Sequence, residues 1–167
     1  MGKQYLVVDD HPIVQRAFAA AIEEIHPDGT VRMANRLSEA LTILREGPAV
    51  DLVLLDLSLP DSRGVEGLQT LREKHPSTAV VATSGDEDSP MILRCLDLGA
   101  AGFIPKSQPN DQIQHALRIV TSGGTYVPPQ AISGDHTPRV RGHHGGAHAL
   151  RARAAARRSP RLRSGVC

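Results

Sequence analysis

A chain of 167 residues, 40% of them hydrophobic, has the length and apolar content for one domain of ordinary size, with a core that two Tyr, two Phe and no Trp restrict to aliphatic packing. Positions 1–135 hold all 18 acids against 11 Lys and Arg, a net charge of −7, whereas positions 136–167 hold eight Arg and no acid. Two cysteines, Cys95 and Cys167, give no disulfide framework, no apolar run is long enough for a signal-peptide core or a bilayer span, and the expected location is the cytoplasm.

The first apolar run, at 5–8, predicts a strand. Val14, Phe18, Ala21, Ile22 and Ile25 follow on one helical stripe. A second strand is predicted at 31–33, and a second stripe at Leu37, Ala40, Leu41 and Leu44. The run at 52–55 is a third strand, followed by Val65, Leu68 and Leu71 ahead of the breaker pair His75-Pro76. A fourth strand at 79–82 leads to a helix with Ser89 as N-cap, Pro90 at the first helical position and Gly99 as its stop. The fifth strand, 102–104, precedes a stripe of Ile113, Ala116, Leu117 and Val120, ended by Gly123-Gly124. Cys95 reads as a small apolar residue of the fourth helix.

Three of the runs are almost uninterrupted, as strands buried on both faces must be. Five strand–helix units within residues 3–122 predict an α/β fold, an open doubly wound parallel sheet with helices on both sides. In that class, ligands bind at the carboxyl ends of the strands. Polar residues collect there: Asp9-Asp10, Asp56, Thr83-Ser84 and Pro105-Lys106. Three carboxylates crowded at one edge repel unless a cation lies between them. A hard oxygen site with open positions suits Mg²⁺, a carboxylate can attack phosphorus, and a lysine and a hydroxyl can stabilise the transferring group. Taken singly, each residue has an ordinary role as helix cap, turn or surface charge; phosphoryl transfer explains them jointly. His11 reads as a packing or capping residue at a helix start.

Three strings carry a family resemblance: Leu6-Val7-Val8-Asp9-Asp10-His11-Pro12, the stretch from Asp56-Leu57-Ser58 to Arg63-Gly64, and Gly99-Ala100-Ala101-Gly102-Phe103-Ile104-Pro105-Lys106. Over residues 3–128 the chain resembles response-regulator receiver domains, and its His-Pro after the acidic pair is similar to the NarL/LuxR-type branch. The resemblance implies a flavodoxin-like, CheY-like (βα)5 fold with strand order 2-1-3-4-5. It further implies Asp56 as phosphoacceptor, with Mg²⁺ held by Asp9, Asp10, Asp56 and the backbone carbonyl of Ser58. Ser84 and Lys106 would contact the phosphoryl group, and Ser84 with Phe103 would form a switch working through the helix 4, strand 5 and helix 5 face. The implied partners are a sensor histidine kinase or a small phosphodonor, and a second copy in a phosphorylation-dependent homodimer; no membrane is implied. A DNA-binding LuxR-type transcription regulator and an aspartyl-phosphate phosphohydrolase are the alternatives. Ser58 stands where such hydrolases carry a second aspartate.

Residues 123–136, from Gly123-Gly124-Thr125-Tyr126 through Pro128-Pro129-Gln130, read as a linker like those that lead into helix-turn-helix domains. After Thr137-Pro138-Arg139 the apolar periodicity stops. Residues 137–167 are rich in Arg, Ala, Gly and His, too poor in aliphatics for a core, and expected to be disordered. His143, His144 and His148 lie there without a core to assemble them into a metal site. This composition is that of GC-rich coding sequence read out of frame, and the tail is the expected product of a frameshift that displaced a DNA-binding domain. Eight arginines could instead make a phosphate-attracting arm. Translating the coding DNA in the other two frames from about codon 137 is expected to give the periodicity of a helix-turn-helix; its absence from both frames refutes the frameshift.

Overall fold

The computed structural model describes residues 2–133. The chain divides into units 1–134 and 135–167, and the described residues all belong to the first. The expected tail and its histidines lie outside them.

Five parallel strands form the sheet: β1 (Gln4–Val8), β2 (Thr30–Ala34), β3 (Leu52–Asp56), β6 (Ala79–Ser84) and β7 (Gly102–Pro105), in the order β2-β1-β3-β6-β7. This is the doubly wound order expected, 2-1-3-4-5 counted over the sheet strands. Alternate residues of each strand point to opposite faces. Leu6, Val8, Val53, Leu55, Val80, Ala82 and Phe103 pack with buried residues of α2 (Leu37–Glu46), α3 (Glu66–Lys74) and α4 (Ser89–Asp97). Tyr5, Val7, Leu52, Leu54, Val81 and Ile104 pack with α1 (Pro12–Ile25) and α5 (Asn110–Thr121) on the other face. The central strands are buried over nearly their whole length, which is why their sequences run apolar without alternation. Among the described residues no helix is long and apolar enough to cross a membrane.

Three local features depart from the sequence expectation. Helix α4 starts one residue early: Asp88 is its N-cap, while Ser89 is already helical and its hydroxyl donates to the Gln130 carbonyl at 3.1 Å. The loop after β3 contains a tight antiparallel hairpin, β4 (Ser58–Leu59) against β5 (Ser62–Arg63), too short to show a period. The segment read as a linker is packed in its first part. Tyr126 bridges Gly102 in parallel, its N–H donates to the Ala101 carbonyl at 3.0 Å, and its carbonyl accepts from the Phe103 N–H at 3.3 Å. A Cβ on Gly102 would lie 3.0 Å from that Tyr126 oxygen, so the close approach depends on glycine. A short helix, α6 (Pro129–Ser133), follows and buries Ala131 in the core. The segment thereby covers the β7 edge of the sheet.

The hairpin also supplies a cap. The Arg36 side chain at the N-cap of α2 makes no capping hydrogen bond. Asp61, at the hairpin tip, accepts from the N–H groups of Leu37 at 2.8 Å and Ser38 at 2.9 Å. Slight burial would raise the Asp61 pKa, but these hydrogen bonds outweigh it and lower the pKa below the ordinary value. Asp61→Ala is expected to lower unfolding free energy by about 1 kcal/mol, the usual worth of a cap. Because the folded pKa is depressed, the contribution is present at neutral pH and is lost as pH falls through the folded pKa. Urea unfolding of both proteins at neutral pH and in acid checks this.

Candidate functional site

The sheet order brings the carboxyl ends of β1, β3, β6 and β7 side by side. Asp56 is the last residue of β3 and stands opposite Thr83; Ser84 ends β6 opposite Pro105. Asp9 directly follows β1 and Lys106 directly follows β7. The Lys106 N–H donates to the Ser84 carbonyl at 2.9 Å, which ties the two strand ends together. Residues separated by almost one hundred positions thus meet within one side chain's reach.

Asp9 and Asp56 are each 1% exposed. The Lys106 ammonium lies between them, 2.8 Å from Asp9 Oδ2 and 3.0 Å from Asp56 Oδ2. Both Oδ2 atoms are sealed from solvent and, apart from this ammonium, have no donor. Asp56 Oδ1 accepts from the Ser58 N–H at 3.0 Å. Burial raises the Asp56 pKa above the ordinary carboxylate value, and the Asp9 charge adds to it, against the opposing pull of the Ser58 N–H and Lys106. Burial alone would lower the Lys106 pKa, but hydrogen bonding and charge from Asp9 and Asp56 raise it, so the ammonium stays charged.

Asp10 and His11 form the exposed rim. His11 takes the N-cap position of α1, as its place at a helix start suggests, but its side chain is 60% exposed and turns to the acids. Its Nδ1 lies 2.9 Å from Asp9 Oδ1 and 3.0 Å from Asp10 Oδ1, and its ring makes no capping hydrogen bond. Carboxylate and ring atoms of Asp9, Asp10, His11 and Asp56 all lie within 4.8 Å of one another. A depression of about 330 Å³ opens above them, lined by His11, Val14, Asp56, Ser58, Gly85 and Lys106. Three carboxylates facing one lysine leave an excess of negative charge, so the donor set fits a hard divalent cation.

Ser84 is buried, and its hydroxyl accepts from the Asp86 N–H at 3.0 Å. Phe103 is fully buried opposite Ala82, on the sheet face that Ser84 shares by strand alternation. Asp9, Asp10, Asp56, Ser58, Ser84, Phe103 and Lys106 therefore all lie at this strand edge or directly beneath it. One supporting residue was missed. Gln15 is 7% exposed, and its amide donates to the Asp9 carbonyl, to the Ala34 carbonyl at 3.1 Å and to Asn35 Oδ1 at 3.1 Å. It pins the end of β1 to the end of β2. Its signal was a polar residue on the helical face of Phe18, Ala19 and Ile22.

Residues 5–118 match the model of the response regulator receiver domain. Over 127 residues the chain is 35% identical to the glycerol metabolism activator of Pseudomonas putida, covering 76% of this chain and 58% of that protein. Over 126 residues it is 35% identical to the response regulator GacA of Pseudomonas protegens, covering 75% and 58%. A solved structure described as a LuxR family DNA-binding response regulator from Silicibacter pomeroyi superimposes with a TM-score of 0.67 at 32% identity, over 75% of this chain and 97% of that one. The chain belongs to the response regulator receiver family. It carries the receiver domain of two-component signalling proteins and spans about 58% of the length of the curated relatives it matches.

Asp56 bears a stability cost that can be measured. Its folded pKa is raised, so ionising it disfavours the folded state at neutral pH, and that cost vanishes as pH falls below the unfolded value near 4. Asp56→Asn removes the charge while Lys106 keeps Asp9 as its partner. The variant is expected to be more stable than the parent at pH 7 without divalent cations, the gain shrinking as pH falls towards the ordinary aspartate range. Paired denaturant titrations at neutral pH and in acid check it.

Proposed function

We propose that Asp56 is the phosphoacceptor of a two-component relay. The observation that carries this reading is its placement: a buried carboxylate gripped on one oxygen by Lys106, lining an open depression beside two further acids. A carboxylate oxygen of Asp56 attacks phosphorus while the bond to the donor's nitrogen or oxygen breaks, and the donor leaves with that electron pair. Sensor histidine kinases and small phosphodonors such as acetyl phosphate are the donors of this chemistry, acting here in the cytoplasm.

Asp9, Asp10, Asp56 and the Ser58 carbonyl would hold Mg²⁺, which supplies charge neutralisation at the phosphoryl oxygens when bound. Lys106 needs little movement to meet a phosphoryl oxygen, since its ammonium already sits at the Asp56 carboxylate. Ser84 turns its hydroxyl from the Asp86 N–H towards the new dianion. Phe103, on the same sheet face, then changes its packing, and the change is read on the surface formed by α4, β7 and α5, where a partner or a second copy docks. The domain takes up and loses phosphate without turning over an external substrate.

Incubation with acetyl phosphate and Mg²⁺ is expected to give one phosphoryl group per chain, stable in acid and labile in base. Mass spectrometry of borohydride-reduced peptides should place it at Asp56. Asp56→Asn should lose the adduct, and Lys106→Ala should still be phosphorylated but show a weakened switch. Full labelling of Asp56→Asn would overturn the assignment.

A further inference from the structure

The β7 edge of the sheet is covered by the chain's own residues 126–133, and the contacts that hold them run to the two loops beside the strand-end site. The Tyr126 N–H donates to the Ala101 carbonyl at 3.0 Å, and the Tyr126 carbonyl accepts from the Phe103 N–H at 3.3 Å. Gln130 faces the loop after β6: its amide donates to Glu87 Oε2 at 3.3 Å, and its carbonyl accepts from the Ser89 hydroxyl at 3.1 Å. The Ser107 hydroxyl, from the residue after Lys106, donates to the same Glu87 carboxylate. The Gln108 amide donates to the Tyr126 phenol at 3.3 Å. The segment is thus tied at one end to the backbone of Phe103 and at the other to the loop that begins at Ser84.

The grip is small. Tyr126 and Ala131 are 5% and 3% exposed, but Ile132 is 70% exposed. Gln130 Oε1 is enclosed with no donor, a cost that the docked segment bears and a released one would not. A segment held by two backbone hydrogen bonds and a few half-buried polar contacts, with one such orphan, belongs to the low-stability end of a fold, where a ligand can bias local opening. We propose that residues 126–133 are a detachable strap, docked on β7 and α4 while Asp56 is free and released when Asp56 carries a phosphoryl group. The proposal rests on the phosphoacceptor reading of Asp56 and adds the element that the switch moves. The Ser84 hydroxyl, on leaving the Asp86 N–H, would shift the turn that carries Glu87, and repacking of Phe103 would displace the N–H that the Tyr126 carbonyl accepts. Both ends of the strap would then lose their partners together. Because the docked strap lies over the β7 edge and the flank of α4, the strap and a partner on that surface exclude each other.

Two NMR readouts on the full chain separate the strap from the phosphoacceptor. The ¹⁹F resonance of bound beryllofluoride, a phosphoryl mimic, reports occupancy at Asp56, and hydrogen exchange of the Tyr126 and Phe103 amides reports the strap. With Mg²⁺ and beryllofluoride, both amides are expected to exchange at least about tenfold faster, while those of Leu6 and Leu54 in the central strands change by less than about twofold. Gln130→Ala, which removes the tie to Glu87 without touching the phosphoacceptor pocket, should speed Tyr126 exchange in the absence of the mimic. By reciprocity it should also lower the beryllofluoride concentration for half-saturation by at least about threefold. A bound ¹⁹F signal with Tyr126 and Phe103 exchange unchanged would overturn the strap and leave the phosphoacceptor standing. Unchanged half-saturation in Gln130→Ala would equally refute the coupling, whatever Tyr126 exchange does. Absence of a bound ¹⁹F signal would sink the Asp56 reading, and the strap with it.

Discussion

The Lys106 ammonium between the carboxylates of Asp9 and Asp56 is the contact on which the strand edge depends. Each acid is almost wholly withdrawn from water. A buried carboxylate without a partner costs several kcal/mol, and two facing each other cost more. One lysine answers both, at 2.8 and 3.0 Å, and it can do so only because β7 delivers it two strands away from β3. The fold and the electrostatics are therefore one problem: the parallel order β1-β3-β6-β7 is what places a cation from the end of the last strand against acids from the ends of the first and third. The compensation is incomplete, which leaves Asp56 harder to ionise than a free aspartate and the pocket receptive to further positive charge.

Much of this was legible in the sequence because the relevant signals are periodic or local. Uninterrupted runs at 52–55 and 79–82 reflect burial on both faces, and polar residues at the ends of such runs must emerge at the edge of a parallel sheet. What escaped was non-local. Asp61 looks like any turn aspartate; its role as the cap of α2 appears only once the hairpin folds back over a helix more than twenty positions earlier. Gln15 interrupts an apolar face, but which carbonyls it reaches depends on how β1 and β2 end relative to α1. His11 does stand at the helix start, but what its ring meets is again tertiary: two carboxylates whose convergence no local pattern shows. Residues 123–131 resemble a linker in composition, and they pack because Gly102 leaves room for the Tyr126 backbone.

That packed segment bears on how a change at the strand edge can travel. Ser84 accepts from the N–H of Asp86, two residues on, and the carboxylate of the next residue, Glu87, accepts from the Gln130 amide and from the Ser107 hydroxyl. Ser89 reaches the Gln130 carbonyl, and the backbone of Phe103 is bonded to that of Tyr126. The loop after β6, the residue after Lys106 and the segment at 126–130 thus share one set of polar contacts. In the proposed switch, drawing Ser84 towards a phosphorylated Asp56 would release its hydroxyl from the Asp86 N–H and disturb the turn that carries Glu87. The first structures to feel such a change would then be not distant helices but the contacts that hold residues 126–131 against β7 and α4. A small displacement at a buried carboxylate would acquire leverage here because the strand ends are rigidly packed while the polar contacts beside them are only partly buried and individually weak.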